Sequence, residues 1–126
     1  MIVDDEAAVL SLTALVLECY GYKVIGVPSP IEAVHLFEVW PDLEVDLMLL
    51  DIMMPEMNGI ELAARMRSVR PDLPVLYFSA YPNQLLPLMA RGTPYIAKPF
   101  TSSQLTHKIR EVLDNAKGTG EAAPAP

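Results

Sequence analysis

Cysteine is almost absent from this chain: Cys19 is the only one in 126 residues. No internal disulfide can form, and its apolar helical surroundings make a small buried side chain the expectation. The chain also lacks any apolar run of the roughly 20 residues that a membrane-spanning helix requires. No basic, cleavable leader precedes Asp4 and Asp5, which come almost at once, so no membrane association and a cytoplasmic location are expected. Basic charge is scarce: 9 Lys and Arg stand against 16 Asp and Glu, a formal net charge of −7. Phosphate backbones are held by clustered Lys and Arg, so no direct nucleic-acid binding is expected. A glycine-rich loop that would cradle a phosphate on backbone N–H groups is missing too.

What remains is the composition of one compact domain, 52% hydrophobic and 20% charged. Met1, Ile2 and Val3 read as a short strand that delivers Asp4, Asp5 and Glu6 at its carboxyl end. Val9, Leu12, Val16 and Tyr20 recur at helical spacing before Gly21, which predicts an amphipathic helix with a glycine stop. Lys23 to Val27 reads as a strand. Ser29, Pro30 and Glu32 then open a helix carrying Ala33, Leu36, Phe37 and Trp40, which Pro41 ends. From Val45 to Leu50 the chain is apolar except for Asp46, the pattern of a central parallel strand, and it ends at Asp51.

Asn58 caps a predicted helix through Arg67, with Ile60, Leu62, Ala63 and Met66 on or near its inner side. Pro74 to Phe78 is the next strand, ending at Ser79. Asn83 to Arg91 has helical composition but contains Pro87, which costs about 3 kcal/mol inside a regular helix, so a short or distorted helix is expected. Pro94 to Ala97 is a last strand, followed by Lys98, Pro99 and Phe100. Thr101 or Ser102 caps a closing helix with Leu105, Ile109, Val112 and Leu113 in its stripe. Residues 1–116 form the expected domain, and the Gly, Ala, Glu and Pro composition of 117–126 reads as a flexible tail or linker.

Strands alternating with helices imply about five βα units, hence an α/β fold with a doubly wound five-stranded parallel sheet. The favoured order is 2-1-3-4-5, the flavodoxin-like arrangement, in which ligands bind beyond the carboxyl ends of the strands. Asp4, Asp5, Asp51, Ser79 and Lys98 each follow a predicted strand, so this fold would gather them in one crevice. Two unit charges about 4 Å apart repel by about 4 kcal/mol at an effective dielectric near 20, so three neighbouring carboxylates call for a cation. Their hard oxygen atoms favour Mg2+. With a metal and Lys98 reversing the local sign, a carboxylate can act as nucleophile toward a phosphoryl group, and Asp51, central in the sheet, is the natural one.

Val3-Asp4-Asp5-Glu6, Leu50 to Pro55 with Asn58-Gly59, and Lys98-Pro99-Phe100 together resemble the response-regulator receiver family from about Met1 to Asn115. The resemblance implies that Asp51 is the phosphoacceptor, that Asp5 and Asp51 ligate Mg2+ directly and Asp4 through water, and that Met53 adds its backbone carbonyl. Ser79 is similar to the family's hydroxyl switch residue, Lys98 to its phosphate-pairing lysine, and Tyr95 to the aromatic that turns inward on activation. Pro99 matches a proline preceded by a cis peptide. The implied partner is a sensor histidine kinase or a histidine phosphotransfer protein, with homodimer formation left open. Receivers of hybrid histidine kinases are the subtype that the Tyr77 to Tyr81 and Lys98 to Leu113 stretches resemble most.

Two departures from the family pattern are expected to matter. The first strand has few residues ahead of its acid pair, so the domain is expected to start upstream, and the Ser79 to Lys98 interval is short by roughly one helical turn. Of two rival readings, a haloacid-dehalogenase-like aspartyl phosphatase would carry a second Asp where Met53 stands. A flavodoxin-like cofactor binder would want Ser, Thr and Gly after the first strand, where Asp4, Asp5 and Glu6 repel a phosphate. The expected chemistry is therefore self-modification, without turnover on a separate substrate.

Overall fold

The computed structural model describes residues 1–121. Five strands, β1 (Ile2–Val3), β2 (Gly26–Val27), β3 (Met48–Asp51), β4 (Val75–Ser79) and β5 (Tyr95–Ala97), alternate with five helices. The helices are α1 (Ala7–Cys19), α2 (Pro30–Val39), α3 (Gly59–Val69), α4 (Pro82–Arg91) and α5 (Ser102–Glu121). All strand pairs are parallel, and the sheet order is β2-β1-β3-β4-β5. The expected doubly wound topology is present.

The period-2 alternation of the strands divides the interior into two layers. Val3, Met48, Leu50, Val75 and Tyr77 face α2, α3 and α4, where they meet Phe37, Leu62, Met66, Leu85 and Leu88. Ile2, Leu49, Leu76 and Phe78 face the other way, against Leu17 of α1 and Leu105, Ile109 and Val112 of α5. The central strands β3 and β4 are buried along their whole length, as apolar runs covered on both faces must be.

Helix starts follow the side chains that the sequence offers. Ser29 Oγ accepts the N–H groups of Ile31 and Glu32, Asn58 Oδ1 accepts that of Glu61, and Thr101 and Gln104 exchange two bonds in a capping box. Gly21 ends α1 at φ +91°, a conformation that L side chains resist. Helix α4 retains ten residues despite Pro87, which has no N–H to offer the carbonyl four residues back. Burial of Leu85 and Leu88 on its inner side offsets that loss.

Several expectations about burial are corrected. Thr13 and Leu17 are the buried residues of α1, while Leu12 and Tyr20 are exposed and Val9 and Val16 are half-buried. Helix α1 has a single charged residue, Glu18, so its periodicity cannot select a face, and the packing of Leu17 against β1 and α5 selects it instead. Thr13 tolerates burial because its hydroxyl donates to the Val9 carbonyl at 2.7 Å. Cys19 is exposed, on the outer side of the same helix. Trp40 and Ile60 are also exposed; the chain leaves the helical conformation at Trp40, which swings its side chain off the inner stripe of α2. β2 is two residues long rather than five, because it pairs only with the two-residue β1. Of the segment 117–126 read as a tail, 117–121 continue the backbone of α5 and 122–126 lie outside the described residues.

Gly59 opens α3 directly beneath the end of β3. A Cβ at this position would lie 2.3 Å from the Asp51 carbonyl oxygen and 3.2 Å from Ile52 Cα, and both are backbone atoms with little room to yield. Gly59→Ala should therefore destabilise the domain by about 1–3 kcal/mol, the usual cost of overpacking, read as a lower midpoint in urea unfolding. An unchanged midpoint would contradict the close approach.

Candidate functional site

Strand register alone brings the polar residues together. Val3 pairs with Leu50, so Asp4 and Asp51 emerge side by side from adjacent strands. Asp51 pairs with Phe78 and Ser79 pairs with Ala97, which sets Ser79 and Lys98 one step further along the same edge. Carboxylate oxygens of Asp4, Asp5 and Asp51 lie within 4.8 Å of one another, with Asp4 and Asp51 buried and Asp5 exposed. Three hard anionic donors at that separation can hold a divalent cation, and the exposed Asp5 leaves the site open to solvent.

The Lys98 ammonium is the one basic group described in this cluster. Its Nζ stands 3.4 Å from Asp4 Oδ2 and 3.4 Å from Asp51 Oδ2, with Glu6 Oε1 at 3.9 Å. The same Nζ lies 4.4 Å from the centre of the Phe78 ring, a cation–π contact that helps hold the ammonium over the sheet edge. Phe100 packs edge-on against Phe78 at 6.1 Å, so the Lys98-Pro99-Phe100 turn is anchored from both ends. The Lys98–Pro99 peptide is cis. Asp4 and Asp51 each also accept a backbone N–H, from Glu6 at 3.0 Å and Met53 at 3.2 Å.

Ser79 is buried at the end of β4. Its hydroxyl accepts the Tyr81 N–H at 3.0 Å and donates to Gln84 Oε1 at 2.6 Å. Tyr95 is half-buried on β5, in register with Tyr77. The Met53 side chain is exposed, and its part in the site is through the backbone. Asp4, Asp5, Asp51 and Lys98 thus converge, Ser79 joins them at the same edge, and Tyr95 flanks the sheet on its α4 side. Three contributors were not foreseen. In the sequence Glu6 is only part of the first acid cluster, Phe78 only the end of a strand, and Gln84 only one residue of a stretch with helical composition. The sequence signal for Gln84 was its place in the first turn after Ser79.

Burial pushes the Asp51 carboxyl up to about 6, against the opposing pull of Lys98; Asp4 pushes it further up, and the Met53 N–H holds it down. A carboxyl raised in the folded state contributes stability that is present below its unfolded value of 3.8 and is lost as the pH rises through about 6.

Residues 1–110 match the family model described as the response regulator receiver domain. The chain is 32% identical over 120 residues to response regulator SaeR of Staphylococcus aureus, covering 93% of this chain and 51% of that protein. It therefore spans about half the length of the curated relatives it matches. A CheY-like response regulator receiver domain protein from Methanospirillum hungatei superposes with a TM-score of 0.80 at 30% identity, covering 94% of each chain. The response regulator TrrA of Thermotoga maritima, solved in complex with Mg2+ and BeF, superposes with a TM-score of 0.76 at 28% identity, covering 88% of this chain and 95% of that one.

The fold and its acidic edge define a flavodoxin-like α/β signalling module. This chain belongs to the response regulator receiver family of two-component signal transduction, whose members are regulatory and work with sensor histidine kinases. Among the described residues, no helix is long and apolar enough to cross a membrane.

In buffer free of divalent metal, Asp51→Asn should be more stable than the parent chain at neutral pH, by an amount on the order of 2 kcal/mol. The difference should shrink as the pH falls from about 6 toward 4. Urea unfolding in chelator across that window measures it. A difference that does not vary with pH would show that the ionised carboxylate is not under electrostatic stress.

Proposed function

We propose that Asp51 accepts a phosphoryl group from a phosphohistidine on a sensor histidine kinase or histidine phosphotransfer protein, with Mg2+ held by the acid cluster. The observation that carries this reading is the convergence of three carboxylates within 4.8 Å with one ammonium 3.4 Å from two of them. No neutral binding role explains so much charge on a sheet edge.

Asp51 offers a carboxylate oxygen to phosphorus while the bond from phosphorus to the histidine nitrogen breaks, and the departing imidazole takes a proton from solvent. Asp5 and Asp51 would ligate the metal directly, Asp4 through water, and Met53 through its backbone carbonyl. The bound cation supplies positive charge against the phosphoryl oxygens. Lys98 exchanges part of its pairing with Asp51 for a phosphoryl oxygen, and the Ser79 hydroxyl donates to another. Phosphorylation adds a charge of about −1.5 to −2, and the response passes through the β4–α4 loop and Tyr95 to an output surface.

On this reading the chain is a switch that catalyses only its own modification and hydrolysis, in the cytoplasm and without direct nucleic-acid contact. Residues 1–116 are the receiver unit and 117–126 a tail or linker. The haloacid-dehalogenase alternative is not favoured, because Met53 stands where the second aspartate would be needed.

Two outcomes test the proposal. With Mg2+ and a small acyl phosphate, the intact mass should rise by one phosphoryl group, and the rise should vanish in Asp51→Asn or in chelator; equal labelling of that variant would sink the assignment. Millimolar Mg2+ should also raise the melting temperature by mass action on the native state. That rise should be lost in Asp5→Asn, and an undiminished response in the variant would remove Asp5 from the metal site.

A further inference from the structure

The hydroxyl at the end of β4 is already engaged. Ser79 is 1% exposed, and its oxygen sits in a short chain of hydrogen bonds running from the Tyr81 N–H through Ser79 Oγ to Gln84 Oε1. Both ends of that chain belong to the start of α4: Tyr81 is its N-cap, and Gln84 is the third residue of the helix. A serine hydroxyl has one proton. With the Tyr81 N–H filling one lone pair, the direction of the hydroxyl is decided by whichever acceptor takes that proton, and at 2.6 Å the acceptor is Gln84.

Ser79 also follows Phe78, the register partner of Asp51, at the mouth of the acidic crevice. A phosphoryl group on Asp51 would bring strong acceptors to this edge, and donation to a charged oxygen is stronger than donation to an amide carbonyl. The proton cannot serve both. Gln84 is half-buried, so its released carbonyl can be satisfied by water, and the bond can break without leaving a buried orphan.

We propose that Gln84 is a positioning residue that latches Ser79: it holds the hydroxyl proton in competition with a phosphoryl group on Asp51 and sets how readily the first turn of α4 responds to phosphorylation. This rests on the reading of Asp51 as the phosphoacceptor. Such a latch lowers the apparent affinity for the phosphoryl group by the fraction of molecules in which Ser79 is held away. An ordinary neutral hydrogen bond corresponds to roughly a two- to tenfold effect. If Gln84 did no more than shape the helix start, its removal would change stability and leave that affinity alone.

The test is calorimetric titration of the 126-residue chain, in Mg2+, with beryllofluoride as the phosphoryl mimic. Gln84→Met keeps the length of the side chain but leaves only a weak thioether acceptor, and it should bind the mimic roughly two- to tenfold more tightly. Gln84→Glu should bind it more weakly, because a carboxylate grips the hydroxyl harder and repels the anion. In a Ser79→Ala background, Gln84→Met should change nothing. Equal affinity of Gln84→Met and the parent chain, or the same gain with Ser79 absent, would overturn the latch while leaving Asp51 as acceptor. No binding to the parent chain, or undiminished binding to Asp51→Asn, would overturn the phosphoacceptor reading and the latch with it.

Discussion

The crevice depends on the position of one ammonium group. Lys98 stands between Asp4 and Asp51, 3.4 Å from each, at an edge where parallel register forces carboxylates from neighbouring strands together. One positive charge cannot neutralise Asp4, Asp5, Asp51 and Glu6 together, so the site retains an excess of negative charge that burial makes costly. Burial is the main reason that Asp51 holds its proton more tightly than usual, and Asp4 adds to it against the pull of Lys98. A divalent cation would relieve the excess charge, and so would a proton. On the proposed reading a phosphoryl group would add to it unless the cation came too, which would make the two interdependent at this edge.

The rest of the fold serves that edge. β3 is wholly buried, so Asp51 has a rigid base, and Gly59 lets α3 begin close against its carbonyl. Phe78 supports the Lys98 ammonium from below and Phe100 braces Phe78, which ties the position of the charge to the packing of the α1 and α5 layer. The last residue of β4 is held differently. Ser79 is held by the first turn of α4, a helix that carries Pro87 in its interior and exposes Leu86 and Met89. A change at the hydroxyl therefore passes directly into an element with one backbone bond fewer than a regular helix has.

The fold was legible because the strands are apolar runs that end on polar residues, and because Ser29, Asn58 and Thr101 announce the helices that follow them. The site was legible for the same reason, since Asp4, Asp51 and Lys98 are each the first charged residue at the carboxyl end of a strand. The misreadings have a physical pattern. α1 is apolar nearly all round, so spacing could not tell Leu17, which is buried, from Leu12, which is exposed, and Cys19 was misplaced with them. Trp40 was counted in the stripe of a helix that ends just before it. Gln84, Glu6 and the ring of Phe78 act through contacts between elements, and such contacts leave no periodicity in the sequence.

Whether Asp51 is the acceptor is decided by chemical trapping of the modified side chain after phosphotransfer from a phosphohistidine donor in Mg2+. Borohydride reduces an aspartyl phosphate to homoserine, and peptide mass spectrometry then locates the changed residue. Homoserine is expected at position 51 alone, and none when the metal is chelated. Homoserine at position 4 or 5, or stable phosphate on Ser79 with Asp51 intact, would contradict it.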